Sequence, residues 1–326
     1  MGSACTGFTL TDLRLSILTK KYEYWGLRSE FIQLDNGATK MHCWTPMPMS
    51  EAGVWSIPNS KPHLVLLQGF APNGMLFWEN QVPKLSKDFN VFVPDLVFLG
   101  RSVTSCKERW TESFQAECIM KMLQFLGLQE DVNFVGSGYG GLVAFRIAQF
   151  YPKFVNKVVF TNTGICMAPN DYDALLVRHR LQHISHLFIP ESVEEFKFAM
   201  ASAPHWKPWL PKFVYEDMFE VLYKDHQQER RQLLDDLTIE TGKDLPRLAH
   251  DKKFLILWGE HDEVFKPELA NKLQRHLGKR AKVIVMNKCG HSPQIQRPTE
   301  FNRKVRDFLL DKHDSHTNRS QVKPTA

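Results

Sequence analysis

Three short segments contain the residue types that nucleophilic and acid–base chemistry requires. VGSGYGG places Ser137 inside a run of glycines, WGEHDEVF includes Asp262, and KCGHSP contains His291. A carboxylate that is hydrogen-bonded to one nitrogen of an imidazole fixes its tautomer, so that the other nitrogen can take a proton. The three segments therefore offer a nucleophile, an acid and a base, provided that the fold brings them together.

The glycine-rich segment resembles a sharp strand-to-helix turn that presents a nucleophile. In the spacing G-x-S-x-G the serine is the third residue. Counting from Gly136, the third residue is Gly138, and Ser137 stands one position early. Such a turn points one side chain at the pocket, so we expect Ser137 to point away from the base. A shifted serine nucleophile remains the alternative, but that shift would misplace Gly136 and Gly140, which allow close packing around the turn.

Four other residues are candidate nucleophiles by residue type alone. They are Ser102 in LGRS, Ser292 beside the histidine, Cys106 and Cys289. None lies in a motif that presents a nucleophile, so a loop residue that forms hydrogen bonds is the simpler interpretation of each serine. For Cys289 we expect a buried, inert thiol.

The elements that must position these residues alternate along the chain. Short apolar, β-branched runs are separated by segments of helical periodicity, which predicts an α/β fold with a mostly parallel sheet. The first two runs are close together and predict an antiparallel hairpin. The predicted strands are 30–34, 41–45, 63–67, 91–94, 132–135, 157–161, 254–258 and 282–286. The predicted helices are 75–86, 110–126, 139–150, 267–277 and 299–310.

A long segment between the sixth and seventh predicted strands contains helical patterns and many aromatic residues. An insertion at this point would cover the carboxyl ends of the strands as a lid. Most of these aromatic residues are expected to form the core of the lid itself: His205, Trp206, Trp209, Phe213, Tyr215 and Phe219. The predicted organisation is an N-terminal extension (1–29), a core (30–165 and 249–311), a helical lid (166–248) and a disordered tail (312–326).

Composition excludes several classes of protein. The 326 residues are 43% hydrophobic with a net charge of +5, and the basic residues form no stripe that would bind nucleic acid. No apolar run approaches the length that spans a bilayer, and the N-terminus lacks the apolar core of a secretory signal. The six cysteines have no metal-site spacing. We therefore expect a cytoplasmic protein without a metal or cofactor; the oligomeric state is left open.

The first six residues, MGSACT, fit the N-myristoylation pattern M-G-x-x-x-[ST]. Cys5 would be available for palmitoylation, and two acyl chains anchor a protein stably where one does not. The pattern is short, so a plain disordered N-terminus is the alternative. Membrane association through acylated Gly2 and Cys5 is thus an open hypothesis.

Together, the motifs make the chain resemble the α/β-hydrolase superfamily from about residue 30 to residue 311. It looks most like plant members of the branch that includes meta-cleavage-product hydrolases and epoxide-hydrolase-like proteins. The segments that carry this resemblance are LVLLQGF, PDLVFLGRS, VGSGYGG, WGEHDEVF and KCGHSP, in that order. The resemblance implies a mostly parallel eight-stranded sheet with flanking helices and an inserted helical lid.

The resemblance also implies a role for particular residues. It assigns the catalytic acid to Asp262 and the catalytic histidine to His291, and it places the nucleophile position at Gly138. The oxyanion donors are expected to be the backbone N–H groups of Phe70 and Tyr139. The expected pocket also includes Gln68, Gly69 and Phe265. Gln68 stands where the family usually has histidine, which puts the hydrogen bonding around that loop in doubt.

Three functional hypotheses follow from a hydrolase-like site without its serine. The first, which the intact His291–Asp262 pair favours, is an enzyme that uses this pair as a general acid/base on a small hydrophobic carbonyl compound. Hydrolysis, lyase and isomerase chemistry would all qualify, whereas serine esterase activity would not. The second is an inactive pseudo-hydrolase that binds a small apolar ligand, and the third is a relic that acts through protein contacts. Whether Gly138 is natural or engineered is also open.

Overall fold

The computed structural model describes residues 9–46, 61–107, 110–201, 210–237 and 245–312. Its nine strands form one sheet, and their bounds are close to the predicted runs. They are β1 (Arg28–Leu34), β2 (Thr39–Thr45), β3 (His63–Leu67), β4 (Asn90–Pro94), β5 (Val103–Thr104), β6 (Val132–Ser137), β7 (Val155–Thr161), β8 (Lys253–Gly259) and β9 (Ala281–Met286).

Helices lie before, between and after these strands. Those that precede the insertion are α1 (Leu10–Tyr24), α2 (Gly74–Phe77), α3 (Val82–Leu85), α4 (Glu112–Phe125) and α5 (Tyr139–Phe150). Those between β7 and β8 are α6 (Pro169–His179), α7 (Ser185–Phe188), α8 (Val193–Ala201), α9 (Lys212–Leu222) and α10 (Gln227–Asp235). Those that follow are α11 (Glu268–Leu277), α12 (Pro293–Gln296) and α13 (Pro298–Leu309).

The sheet has the strand order β1-β2-β4-β3-β6-β7-β8-β9, with the short β5 paired to β2. Six neighbouring strands are parallel, in the order β4, β3, β6, β7, β8 and β9. Strand β1 pairs with β2 in antiparallel register. Both the predicted mostly parallel sheet and the predicted hairpin are therefore confirmed. The parallel strands direct their carboxyl ends to one edge, where ligands bind in open α/β sheets.

The apolar core lies on both faces of the sheet. Along β3, Leu64 and Leu66 pack in one buried cluster, whereas Val65 and Leu67 pack in the other. This alternation follows from the two-residue period of a strand. Both clusters are fully enclosed because helices cover both faces, which explains why the central strands are apolar at nearly every position.

The five helices between β7 and β8 occupy the segment predicted as a lid, and several hydrogen bonds join them to the rest of the chain. Arg230 of α10 is buried, and its Nε donates to the carbonyl of Phe98 at 2.9 Å. On α9, Asp217 accepts hydrogen bonds from the N–H and the hydroxyl of Thr11, each at 2.8 Å. Of the predicted aromatic cluster, Phe213, Tyr215 and Phe219 lie on α9, and the other three residues fall outside the described ranges. The domain limits stay a prediction.

Several elements of the structure differ from the sequence prediction. The N-terminal extension contains α1, which buries Leu18 and Tyr22 against the core and was not predicted. The helix predicted at 75–86 is two short helices, α2 and α3, separated by a turn. The two-residue strand β5 was not predicted either.

The acylation motif at 1–6 lies outside the described residues, as does the tail from 313. No helix among the described residues is long and apolar enough to cross a membrane.

Candidate active site

The structure brings His291 and Asp262 together at the carboxyl edge of the sheet. Asp262 lies three residues after β8, and His291 lies in the loop between β9 and α12. The Nδ1 atom of His291 is 3.1 Å from one carboxylate oxygen of Asp262 and 3.2 Å from the other. Asp262 is fully buried, whereas the His291 side chain is 22% exposed. Since Nδ1 faces the carboxylate, Nε2 is the ring nitrogen left for proton transfer.

Three further donors hold the Asp262 carboxylate in place. The N–H groups of Val264 and Phe265 donate to Oδ1 at 2.8 and 3.0 Å, and the side-chain amide of Asn162 donates to Oδ2 at 2.5 Å. The Phe265 ring also packs edge-on against the imidazole at 5.3 Å between centroids. Buried polar groups are tolerated where they are fully hydrogen-bonded, so these donors fix the position from which Asp262 orients His291.

Asn162 is a residue of this site that sequence reasoning missed. It follows β7 directly, is fully buried and has a positive φ of 44°. Its carbonyl oxygen lies 3.8 Å from where a Cβ at Gly138 would stand. The only signal in the sequence was a polar residue at the carboxyl end of a predicted parallel strand, which is where such sheets place functional groups.

The turn between β6 and α5 has Gly138 at its tip. Gly138 has φ 53° and ψ −117°, a backbone conformation that residues with a side chain rarely adopt. A Cβ on Gly136 would lie 2.4 Å from the carbonyl oxygen of Gly140, and one on Gly140 would lie 2.3 Å from that of Leu67. Only glycine fits at these two positions. They therefore fix the frame of the turn, which has Gly138 and not Ser137 at its tip.

A side chain at position 138 would find room. Its Cβ would meet Gly69 Cα at 3.5 Å and the Asn162 carbonyl at 3.8 Å, which are ordinary contact distances. Gly138 also lines both cavities of this site, together with His291. A side chain at position 138 would therefore be strained by the backbone conformation and not by contact with neighbouring atoms.

The two backbone amides expected to bind an oxyanion flank the same space. Tyr139 is the first residue of α5, so its N–H has no partner within the helix. Phe70 lies in the tight loop after β3, where the Ala71 N–H donates to the Gly69 carbonyl at 2.8 Å. Phe70 and Tyr139 pack ring against ring at 5.4 Å. Burial raises the pKa of the Tyr139 hydroxyl well above its usual value, so this phenol is not a candidate base.

Gln68 does not take the place predicted for it in the pocket. It is fully buried, and its amide donates to the carbonyls of Leu99 and Ala71 at 3.3 and 3.4 Å. The side chain is thus held by one carbonyl from the loop after β4 and one from its own loop after β3, and it lies outside the walls of both cavities. Phe265 lines the first cavity and Gly69 the second.

Two cavities meet at His291 and Gly138. The first has a volume of about 310 Å³ and the second about 290 Å³. Phe70 and Phe188 line both, with their ring centroids 6.0 Å apart. The walls are mainly apolar and aromatic, as is usual for sites that bind small molecules. A ligand could thus place a reacting group beside His291 and extend in two directions.

Ser102 and Cys289 have structural roles, whereas two other candidate serines lie at the second cavity. The buried Ser102 hydroxyl donates to the Asp95 carbonyl at 2.7 Å and accepts from the His42 N–H at 2.8 Å. Burial raises the pKa of the Cys289 thiol to about 11, so it is not a thiolate at neutral pH. Ser137 and Ser292 line the second cavity. Among the residues that the structure describes, no group of three His, Cys, Asp or Glu could hold a metal ion.

Comparisons with known proteins support the fold that holds this site. Residues 62–183 match the family model described as alpha/beta hydrolase fold. The chain has the alpha/beta hydrolase fold. It is similar to "Lipase 1" of Psychrobacter immobilis, with 22% identity over 72% of each chain. It is also similar to "Monoacylglycerol lipase ABHD6" of Homo sapiens, with 22% identity over 80% of this chain and 79% of the relative.

Solved structures support the same fold for this α/β-hydrolase-fold protein. A membrane phospholipase A superposes with a TM-score of 0.76 and 22% identity, and 94% of each chain is covered. The meta-cleavage product hydrolase CumD superposes with a TM-score of 0.66 and 20% identity, over 86% of this chain and 98% of that one. The predicted fold is therefore confirmed.

Proposed function

We propose that this α/β-hydrolase-fold protein is an enzyme in which His291, oriented by Asp262, acts as a general acid/base on a small hydrophobic carbonyl compound. No covalent serine intermediate is formed, because Gly138 stands at the nucleophile position. The observation that carries the proposal is the His291 Nδ1 contact with a fully buried Asp262, at the junction of two apolar cavities. Similarity to proteins named lipase and hydrolase supports chemistry of the hydrolytic class.

In the proposed reaction the substrate carbonyl oxygen accepts hydrogen bonds from the N–H groups of Phe70 and Tyr139. His291 Nε2 then takes a proton from a water molecule or from the carbon next to the carbonyl. Asp262 stabilises the imidazolium that forms, and the proton is returned to the leaving group or to carbon. A positioned base contributes about 10²–10⁴-fold, and one oxyanion donor about 10²–10³-fold. Together these two contributions suffice to accelerate the reaction of an activated substrate.

The second candidate function is a ligand-binding protein without turnover. The observations that favour it are the glycine at the tip of the turn and the apolar walls of both cavities. Such a protein would bind an apolar molecule and release it unchanged. Acylation at Gly2 and Cys5 would add membrane association to either function, and it stays a separate hypothesis.

Removal of the base distinguishes the two functions. We expect His291→Ala to lower the release of p-nitrophenol from short p-nitrophenyl esters by about 10²-fold or more, because proton transfer is lost. Ser137→Ala should retain the rate within about twofold, because Ser137 takes no part. A larger loss in Ser137→Ala would identify a shifted serine nucleophile. Equal rates in native protein, His291→Ala and buffer would favour the ligand-binding protein.

A further inference from the structure

The first cavity contains two polar residues that the proposed reaction does not use. His183, between α6 and α7, and Asp235, at the end of α10, line this cavity together with residues that are mostly apolar or aromatic. Both come from the helical segment between β7 and β8, whereas Gly138 and His291 come from loops at the end of the sheet. The pair therefore lies on a different wall from the residues proposed to react.

The hydrogen bonds around His183 determine which ring nitrogen is a donor. The backbone N–H of Ser185 donates to His183 Nδ1 at 3.2 Å. The Ser185 hydroxyl is also 2.9 Å from this nitrogen. A nitrogen that accepts from a backbone N–H carries no hydrogen, so in the neutral ring the hydrogen is on Nε2. Nε2 is the nitrogen closest to Asp235.

The two groups face each other without making a direct hydrogen bond. His183 Nε2 is 3.8 Å from Asp235 Oδ1, beyond hydrogen-bond distance, and the side chains are 43% and 49% exposed. One oxygen atom placed beside this gap can accept from Nε2–H and donate to the carboxylate at normal distances. A hydroxyl group does both. A carboxylate would be repelled by Asp235, and an ammonium group could not accept from His183.

We propose that His183 and Asp235 form a hydroxyl-recognition site that selects ligands with a hydroxyl or phenol group on an apolar body. This inference rests on the proposed function, since it names the class of substrate for the same cavity. It makes His183 and Asp235 specificity-determining residues rather than catalytic ones. The chemistry of the ligand then has two parts, a carbonyl group beside His291 and a hydroxyl group at the pair.

A second histidine–carboxylate pair on α10 provides a matched control. Glu229 Oε1 is 3.8 Å from His226 Nδ1, the same separation as in the proposed site, and the side chains are 37% and 34% exposed. Neither residue is among those that line the two cavities. Substitution of Glu229 thus removes a partly exposed carboxylate from the same helix, at a residue that lines neither cavity.

The test uses 2-naphthol and naphthalene, which differ only in the hydroxyl group, and measures binding to the full chain by calorimetry. We expect Asp235→Leu to weaken 2-naphthol binding by about tenfold, because one hydrogen bond to a charged group is lost. Naphthalene binding should stay within twofold, and Glu229→Leu should change neither affinity. Asp235→Asn, which keeps an acceptor oxygen without the charge, should give an intermediate loss for 2-naphthol alone.

Three results would overturn the inference. They are equal weakening of both probes in Asp235→Leu, no weakening of either, and no measurable binding of either probe to the native protein. These results are distinct from a failure of the proposed function. If selective binding is found but His291-dependent turnover is not, the hydroxyl site stands and the protein is a binding protein. If turnover is found without hydroxyl selectivity, the proposed enzymatic function is supported and the hydroxyl-recognition site is not.

Discussion

Gly138→Ser is expected to create a His291-dependent serine esterase. The substitution places a hydroxyl at the tip of the turn, beside His291 and the N–H groups of Phe70 and Tyr139, where there is room for a Cβ. We expect hydrolysis of p-nitrophenyl butyrate to rise at least about 10²-fold above the native protein, because the histidine can then activate a covalent nucleophile. A fluorophosphonate probe should label Gly138→Ser at this serine and leave the native protein unlabelled.

Two control variants separate the chemical effect of the new hydroxyl from the structural effect of the substitution. Gly138→Ala adds the same Cβ and the same backbone strain, about 1–3 kcal/mol at a positive φ, without a hydroxyl. It should gain no esterase activity and no label. The double variant Gly138→Ser with His291→Ala should lose the gained activity. If Gly138→Ser is folded but remains inactive and unlabelled, the arrangement of His291 and the two amides is not competent for catalysis.

Loss of the Asp262 carboxylate is expected to have the largest effect on stability. Asp262→Ala leaves the N–H groups of Val264 and Phe265 without their acceptor in a buried site, and the Asn162 amide keeps only the Gly290 carbonyl at 3.4 Å. Each buried donor without a partner costs about 1–3 kcal/mol, partly offset where water or a neighbour enters. We expect the free energy of unfolding to fall by about 2–4 kcal/mol, measured by urea denaturation with an unchanged slope.

Asp262→Asn tests the same carboxylate with a smaller structural change. Its side-chain oxygen can still accept from Val264 and Phe265, whereas its amide would meet the Asn162 amide, so the loss of stability should be smaller than in Asp262→Ala but not absent. Its amide would also face His291 Nδ1 as a donor, which would reverse the tautomer that the proton transfer requires. The expected combination is a smaller loss of stability than in Asp262→Ala, with His291-dependent activity lost. A loss of less than about 1 kcal/mol in Asp262→Ala would contradict the role given to these hydrogen bonds.

The sheet could be predicted from the sequence because its central strands are unusual. A run such as β3, with both faces buried, is apolar at nearly every position, and few other segments of the chain have that composition. The turn at Gly138 could be predicted for a similar reason. Gly136 and Gly140 each lie against a backbone carbonyl at a distance that no side chain permits.

The missed features depend on contacts between distant parts of the chain. Asn162 matters because it reaches Asp262, one hundred residues later, and nothing in its neighbourhood predicts that. His183 and Asp235 lie on different helices of the segment whose sequence indicated only helical periodicity. The helix α1 was missed because its apolar residues lie on both its buried and its exposed sides, with Leu13 and Ile17 exposed, which hides the usual one-sided pattern.

The most direct test of the account is hydrogen exchange at the carbon next to a carbonyl, since that step needs a base and no nucleophile. Native protein, His291→Ala and the exposed-histidine control His261→Ala would each be incubated with propiophenone in deuterated buffer and followed by proton NMR. If His291 is a working base, the exchange rate in native protein and in His261→Ala should be at least about 10²-fold higher than in His291→Ala. Exchange at the same rate in all three proteins and in buffer would contradict a working His291–Asp262 base.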